Sequence, residues 1–273
     1  MPREQCEQVA RLVGMLGVSD GGAMRVTVCE LPDARKPFEA AWDELVEHVH
    51  EANSGLVVLP DMPFHPWLTG SECFDFIAWR EAVQAHDRWE RKLHELSPAV
   101  VIASRPVDFG NERYDEGFVW EETTGILSVH ATPCPPDGRG PDKSPATQST
   151  GIPGATELAP IEVRGLRLAI LLGHELWAAW DDEAGTCDVC CIPRSGDKAP
   201  LADTLKRARV LAQHAGVYSL SSNRSGTFGG HAWIISPEGN VLGLTCADQP
   251  FLSMEIALYA THEENRHFDV FAQ

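Results

Sequence analysis

Two apolar runs end in side chains able to do chemistry. LRLAILL stops at Leu172 and is followed by Gly173, His174 and Glu175, while GLVVLP is closed by Asp61. A carboxylate beside an imidazole at the end of a buried strand suits acid–base work, because the carboxylate orients the ring and the ring moves a proton. His174 and Glu175 read either as such a pair on a pocket floor or as a turn that Glu175 supports and His174 packs against. In MPFHPWLTG, which follows Asp61, His65 and Trp67 read either as pocket lining or as an aromatic lid over the core. Ser221, Ser222 and Ser225 flank Asn223 without a G-x-S-x-G elbow. The histidines show no H-x-H or H-E-x-x-H spacing, so neither a metal nor another cofactor is expected. Cys187, Cys190 and Cys191 could suggest a metal, but they suit the small apolar positions of a buried strand better.

Groups of this kind need rigid strands to hold them. MRVTVCEL reads as the first strand, after an N-terminal extension over residues 1–23. KPFEAAWDELVEHVHEA then puts Phe38, Trp42, Leu45, Val46 and Val49 on one helical face. GLVVLPD, AVVIASRP, LRLAILL and CDVCCIP are apolar on successive residues, as strands covered on both faces are. Further helices are expected over roughly 74–96, in ELWAAWDDEAG and in PLADTLKRARVLAQHAG. GFVWEE and GILSVHA read as one hairpin, GHAWIIS and VLGLTC as another, with strands VYSLSSN before it and LSMEIAL after it. Residues 133–160, rich in Pro, Gly and Ser, read as a long surface loop. Alternating strands and helices, without repeats or a linker, predict one α/β domain over 24–273 with a mixed sheet.

With 22 basic and 40 acidic residues the formal net charge is −18. Such a surface repels phosphate backbones and anionic lipid, which argues against nucleic-acid and membrane partners. No stretch approaches the roughly 20 apolar residues of a membrane span. The N-terminus lacks a basic start followed by an apolar block, and the cysteines follow no disulfide framework, so a reducing cytoplasm is the expected compartment.

Several blocks, in order, resemble the nitrilase or carbon–nitrogen hydrolase superfamily. GLVVLPD is similar to its first catalytic strand, GFVWEETTGILSVHAT to the hairpin before its lysine, and GLRLAILLGHELW to the strand and elbow that carry its cysteine. CDVCCIPRSG, RARVLAQHAGVYSLSSNRSG and GHAWIISPEGNVLG resemble the blocks that follow. The resemblance implies an αββα sandwich of mixed sheets, with 55–60, 166–172 and 187–192 buried inside it. In that family a thiolate attacks a nitrile or amide carbon, a glutamate serves as general base and a lysine steadies the developing negative charge.

Carried over residue by residue, the glutamate falls at Asp61, the lysine at Thr132 and the cysteine at Gly173; a second glutamate falls at Lys143. Asp61 reaches roughly 1–1.5 Å less far than glutamate, a large deficit for a proton-transfer contact of about 2.6–3.2 Å. Thr132 offers a hydroxyl without charge, and Gly173 has no atom with which to attack. His65, Trp67, Lys143, Trp177 and Arg194 are expected to line the pocket. Cys134 could replace the nucleophile, yet it lies between prolines with no base evident; His130 reads as pointing along its strand. Two functions follow. The pocket binds a small amide, carbamoyl or nitrile compound and acts on it without a covalent intermediate, through Asp61, His174 and Glu175. Alternatively, the chain is a pseudoenzyme that serves as a binding or partner subunit, as a homodimer or in a mixed oligomer with an active relative. Both predict that ordinary nitrilase or amidase activity is absent.

Overall fold

Every expected apolar run forms a strand, and period-two alternation sorts its side chains between two layers. The computed structural model describes residues 22–68, 75–134, 160–177, 187–196 and 200–257. One sheet contains β1 (Ala23–Leu31), β2 (Leu56–Val58), β3 (Val100–Phe109), β4 (Glu112–Glu121), β5 (Gly125–Pro133) and β12 (Phe251–Ala257), in the order β5-β4-β3-β2-β1-β12. The other contains β6 (Ile161–Val163), β7 (Leu166–Ile170), β8 (Val189–Pro193), β9 (Tyr218–Arg224), β10 (Trp233–Ile235) and β11 (Val241–Leu244), in the order β6-β7-β8-β9-β10-β11. Parallel pairs β1–β2, β2–β3, β7–β8 and β8–β9 make the centre, and antiparallel pairs flank them.

Leu56, Val58, Leu168, Ile170, Val189 and Cys191 point between the sheets and form the shared core. Their neighbours Val57 and Leu59 face α1 (Arg35–Ala52) instead, in a cluster with Phe38, Trp42 and Leu45. Ala169, Leu171, Cys190 and Ile192 face α3 (Leu201–Ala215) and meet Ala208, Leu211 and Ala212. The layering is therefore αββα within one domain. Cys190 and Cys191 point into opposite layers, so they fill space rather than converge. None of the described helices is long and apolar enough to cross a membrane.

The structure differs from the sequence reading at two elements. The helix expected over 74–96 is α2 (Phe76–Trp89), followed by a 3-10 segment, Glu90–Leu96. Its tighter turn eclipses residues three apart, and Leu93 and Leu96 are thereby both buried. Strand β6 was not expected; it pairs with β7 through Arg164 and Gly165, whose φ values of 53° and 77° make a tight hairpin turn. After Leu172 the chain makes a 3-10 turn over Gly173–Trp177, and the rest of the helix expected in ELWAAWDDEAG lies outside the described residues. The 133–160 loop lies largely outside the described residues.

Among the described residues, the two sheets touch edge to edge only where β1 ends against β9, at Glu30–Asn223 and Leu31–Arg224. Beneath this junction His86, on α2, is 3 % exposed. Its Nδ1–H donates to the Ala82 carbonyl at 2.8 Å, and its Nε2 faces the Phe64 N–H at 3.5 Å. Burial pulls its pKa down from 6.5 to about 3. The unfolded chain therefore takes up a proton that the folded chain refuses, and the contribution to stability is full above pH 6.5 and falls as pH drops toward 3. His86→Gln should lessen the loss of stability between pH 7.5 and 4.5 by about 2–3 kcal/mol, read from denaturant unfolding at both values.

Candidate functional site

The site lies where the sheets converge, and one buried arginine organises its first loop. Arg224, the last residue of β9, is 1 % exposed. Its Nη2 donates to the carbonyl oxygens of Asp61 (3.1 Å), Met62 and His65 (3.0 Å). Nη1 pairs with Asp33 Oδ1 at 2.5 Å, and Nε donates to Ser195 Oγ at 3.1 Å. The Ser195 hydroxyl in turn donates to the Asp61 carbonyl at 2.8 Å. Met62 has a φ of 41°, a left-handed conformation that is unfavourable for a side-chain-bearing residue and needs such restraint.

The clamp delivers the Asp61 side chain to a second carboxyl. Ser104, fully buried on β3, donates to Asp61 Oδ1 at 2.5 Å and accepts the Met62 N–H at 3.0 Å. Asp115 on β4, 5 % exposed, adjoins Asp61. Burial first, then the negative charge of Asp61, hold the Asp115 carboxyl well above the usual carboxylate range. The shift favours the protonated acid, and a proton held there lets two buried carboxyls lie together. The sequence reading missed Asp115. The available signal was a pair of acidic residues, Asp115 and Glu116, leading directly into the apolar part of a strand.

Thr132 is directly opposite Asp115 in the β4–β5 register. Its hydroxyl donates to Glu175 Oε1 at 3.0 Å, and His130 Nε2 lies 2.6 Å from the same oxygen. A carboxylate only accepts, so His130 carries its proton on Nε2 here. Glu175 Oε2 accepts the Leu172 N–H at 2.8 Å. Glu175 is therefore part of both readings at once: it braces the elbow and it orients an imidazole. That imidazole is His130, which corrects the expectation that His130 runs along its strand. His130 and Thr132 stand two apart on β5 and share a face, so one carboxylate reaches both.

Gly173 sits against the chain leaving β8. A Cβ there would lie 3.3 Å from the Pro193 carbonyl and 3.4 Å from Arg194 Cα. Arg194 links this point to Asp61, since its carbonyl accepts the Asp61 N–H at 3.1 Å. Its guanidinium donates to Ser221 Oγ (2.7 Å) and the His231 carbonyl (2.6 Å) and stacks 3.9 Å over the Trp233 ring. Asp61 and Gly173 thus both adjoin Arg194, while Thr132 and His130 share Glu175.

Other residues singled out lie elsewhere. His65 lines a cleft of about 430 Å³ with Phe38, Phe64 and Trp89. The Trp67 N–H donates to Asp33 at 2.8 Å, and its ring lies beside Arg224. Trp177 packs toward α3 under Arg207, in a second cleft. Lys143 and the side chain of His174 fall outside the described residues. Burial, then the charges of Asp115 and Asp61, raise the Cys134 pKa, the reverse of what a nucleophilic thiolate needs. Ser221 and Ser222 donate to the carbonyls of Ile192 and Val58, so they staple strands together.

Solved structures share this architecture. The chain superposes on a carbon–nitrogen hydrolase from Helicobacter pylori G27 with a TM-score of 0.65 at 16 % identity, covering 87 % of this chain and 90 % of that one. An amidase from Nesterenkonia sp. gives 0.63 at 15 % identity over 88 % and 93 %. The C. elegans NitFhit protein gives 0.64 at 17 % identity over 88 % of this chain and 62 % of its own. No family model and no curated protein sequence matches the chain. The protein therefore has the nitrilase-type αββα fold of the carbon–nitrogen hydrolases. At these identities the likeness concerns the fold alone.

Two outcomes test the arrangement. Arg224→Met should cost about 3–5 kcal/mol in denaturant unfolding, because it strands Asp33 and three carbonyls. Asp115 differs in sign. Its raised pKa means that its contribution to stability is full below the unfolded value of 3.8 and is lost as pH rises. Asp115→Asn, which mimics the protonated acid, should match or exceed the parent in thermal stability at pH 8, with the advantage shrinking toward pH 4.

Proposed function

We propose that this protein is a carbon–nitrogen hydrolase-like protein without the covalent route, and that it binds a small amide-, carbamoyl- or nitrile-type compound and acts on it by acid–base chemistry. The resemblance puts the family's glutamate, lysine and cysteine at Asp61, Thr132 and Gly173. The observation that carries the proposal is the pair of buried acid–base units beside Gly173. Asp61 lies against protonated Asp115, and Glu175 holds His130 at 2.6 Å. Burying carboxyl groups is unfavourable unless each has a partner, and here each unit supplies its own. One unit holds a proton and the other presents an oriented imidazole, so the site offers polar contacts and proton transfer to a bound amide.

The alternative, a pseudoenzyme serving as a partner subunit, has one observation in its favour. Both oxygens of Glu175 are engaged within the protein, and the position a Cβ would take at 173 is crowded. A homodimer or a mixed oligomer with a relative suits that reading.

Incubation with simple amides and nitriles should leave the intact mass of the protein unchanged, with no acyl-enzyme. Gly173→Cys alone should not restore turnover: its side chain enters the space beside Pro193 and Arg194, and Thr132 supplies no cation. The triple variant Gly173→Cys, Thr132→Lys and Asp61→Glu tests whether the pocket still admits an amide. An adduct on the triple variant supports the pocket. Its absence, together with no amide binding by the unmodified protein, leaves the partner-subunit reading. Robust amide turnover through an acyl-enzyme in the unmodified protein would overturn both.

A further inference from the structure

Two buried polar atoms of this site are left without a hydrogen-bond partner among the described residues: Asp115 Oδ1 and His130 Nδ1. Buried groups of this kind are ordinarily paired, because an unmet one costs its full desolvation, so each needs an explanation. Both belong to one face. A Cβ at Gly117 would run into Ile170 of the opposite sheet, at 2.9 Å, so Gly117 faces the space between the sheets. Asp115, two residues earlier, faces the same way, as do Thr132 and His130, which pair with Asp115 and Gly117 across β4–β5.

Both orphans are acceptors. His130 uses its Nε2–H on Glu175, which leaves a lone pair on Nδ1. Asp115 gives its proton toward Asp61, which leaves Oδ1 as a carbonyl oxygen. Asp115 and His130 are diagonal neighbours, a relation that sets residues roughly 7–8 Å apart across an antiparallel pair. One nitrogen making two hydrogen bonds of about 2.9 Å each spans acceptors about 5 Å apart, so the two side chains must lean toward each other across the strand pair to share it. A nitrogen bearing two hydrogens satisfies two such acceptors at once. A carboxylate, an ester or a tertiary amide satisfies neither.

We propose that Asp115 Oδ1 and His130 Nδ1 together accept the two N–H bonds of a primary carboxamide or carbamoyl group, so that the site selects ligands by their –NH2. This rests on the reading that the site takes a small amide-type compound. It adds the two residues that recognise it and excludes substituted amides.

The test uses the full chain labelled with 15N-histidine, titrated with acetamide and with N,N-dimethylacetamide, which keeps the carbonyl and lacks the N–H bonds. The His130 signals are assigned by their loss in His130→Phe. Acetamide should shift the Nδ1 resonance upfield and dimethylacetamide should not. Asp115→Asn should keep the response, since its amide oxygen replaces the acid's carbonyl, and Asp115→Leu should weaken acetamide binding at least tenfold. The histidine signal is read on the unmodified protein, so a variant that fails to fold leaves the test standing. If acetamide binds while Nδ1 stays silent, or if dimethylacetamide binds equally well, the –NH2 assignment is overturned and the amide-binding function survives. If neither amide binds, both fall.

Discussion

The geometry of the site depends on keeping one guanidinium dry. Arg224 ends β9 at the seam where the two sheets meet, and it donates to three carbonyls of the loop after β2. Without them the loop carbonyls would be buried with no donor, and Met62 would have no reason to hold a left-handed backbone. The clamp therefore decides where Asp61 points. Because Asp61 is 6 % exposed, a shift of the loop would move it not into solvent but into a neighbour. An arginine suits this task better than a lysine, since its planar fork can address several carbonyls and Asp33 together.

From this placement the electrostatics follow. Asp61, Asp115 and Glu175 share a small buried region, and several negative charges there would repel strongly at low dielectric. Two features relieve this. The raised pKa of Asp115 favours its uncharged form, and Glu175 spreads its charge over an imidazole, a hydroxyl and a backbone amide. The uncharged hydroxyl of Thr132 fits the same scheme, because an ammonium opposite Asp115 would draw it toward the ionised form. The side chains at 115 and 132 are thus compatible as a pair, and a change at one alters the charge state of the other.

Most of the framework was legible in the sequence because burial on both faces leaves a continuous apolar run, as in GLVVLP and LRLAILL, and amphipathic periodicity marks the helices. The αββα arrangement came from the order of resembling blocks rather than from periodicity. What escaped was set by partners distant in the chain. β6 exists because β7 offers an edge, and its turn uses Arg164 in a conformation that sequence does not announce. Asp115 looked like an ordinary strand residue until Asp61, far away in sequence, arrived beside it. His130 read as inert because period two says which face a side chain takes, not that Glu175 waits opposite. His65 and Trp67, read as pocket lining or lid, go different ways: His65 lines a cleft with Phe38 of α1 and Trp89 of α2, and Trp67 lies by Asp33 and Arg224.

The proposal that this site uses a held proton in place of a thiolate turns on the charge state of Asp115. Carbon-13 NMR of the aspartate side-chain carboxyls, assigned through Asp61→Asn and Asp115→Asn and followed from pH 3 to pH 9, measures this directly. The account predicts that the Asp115 carboxyl still reads as protonated at pH 7, after ordinary aspartates have ionised, and that removing Asp61 lowers its titration midpoint. Ionisation of Asp115 together with the surface aspartates near pH 4, indifferent to Asp61, would contradict it.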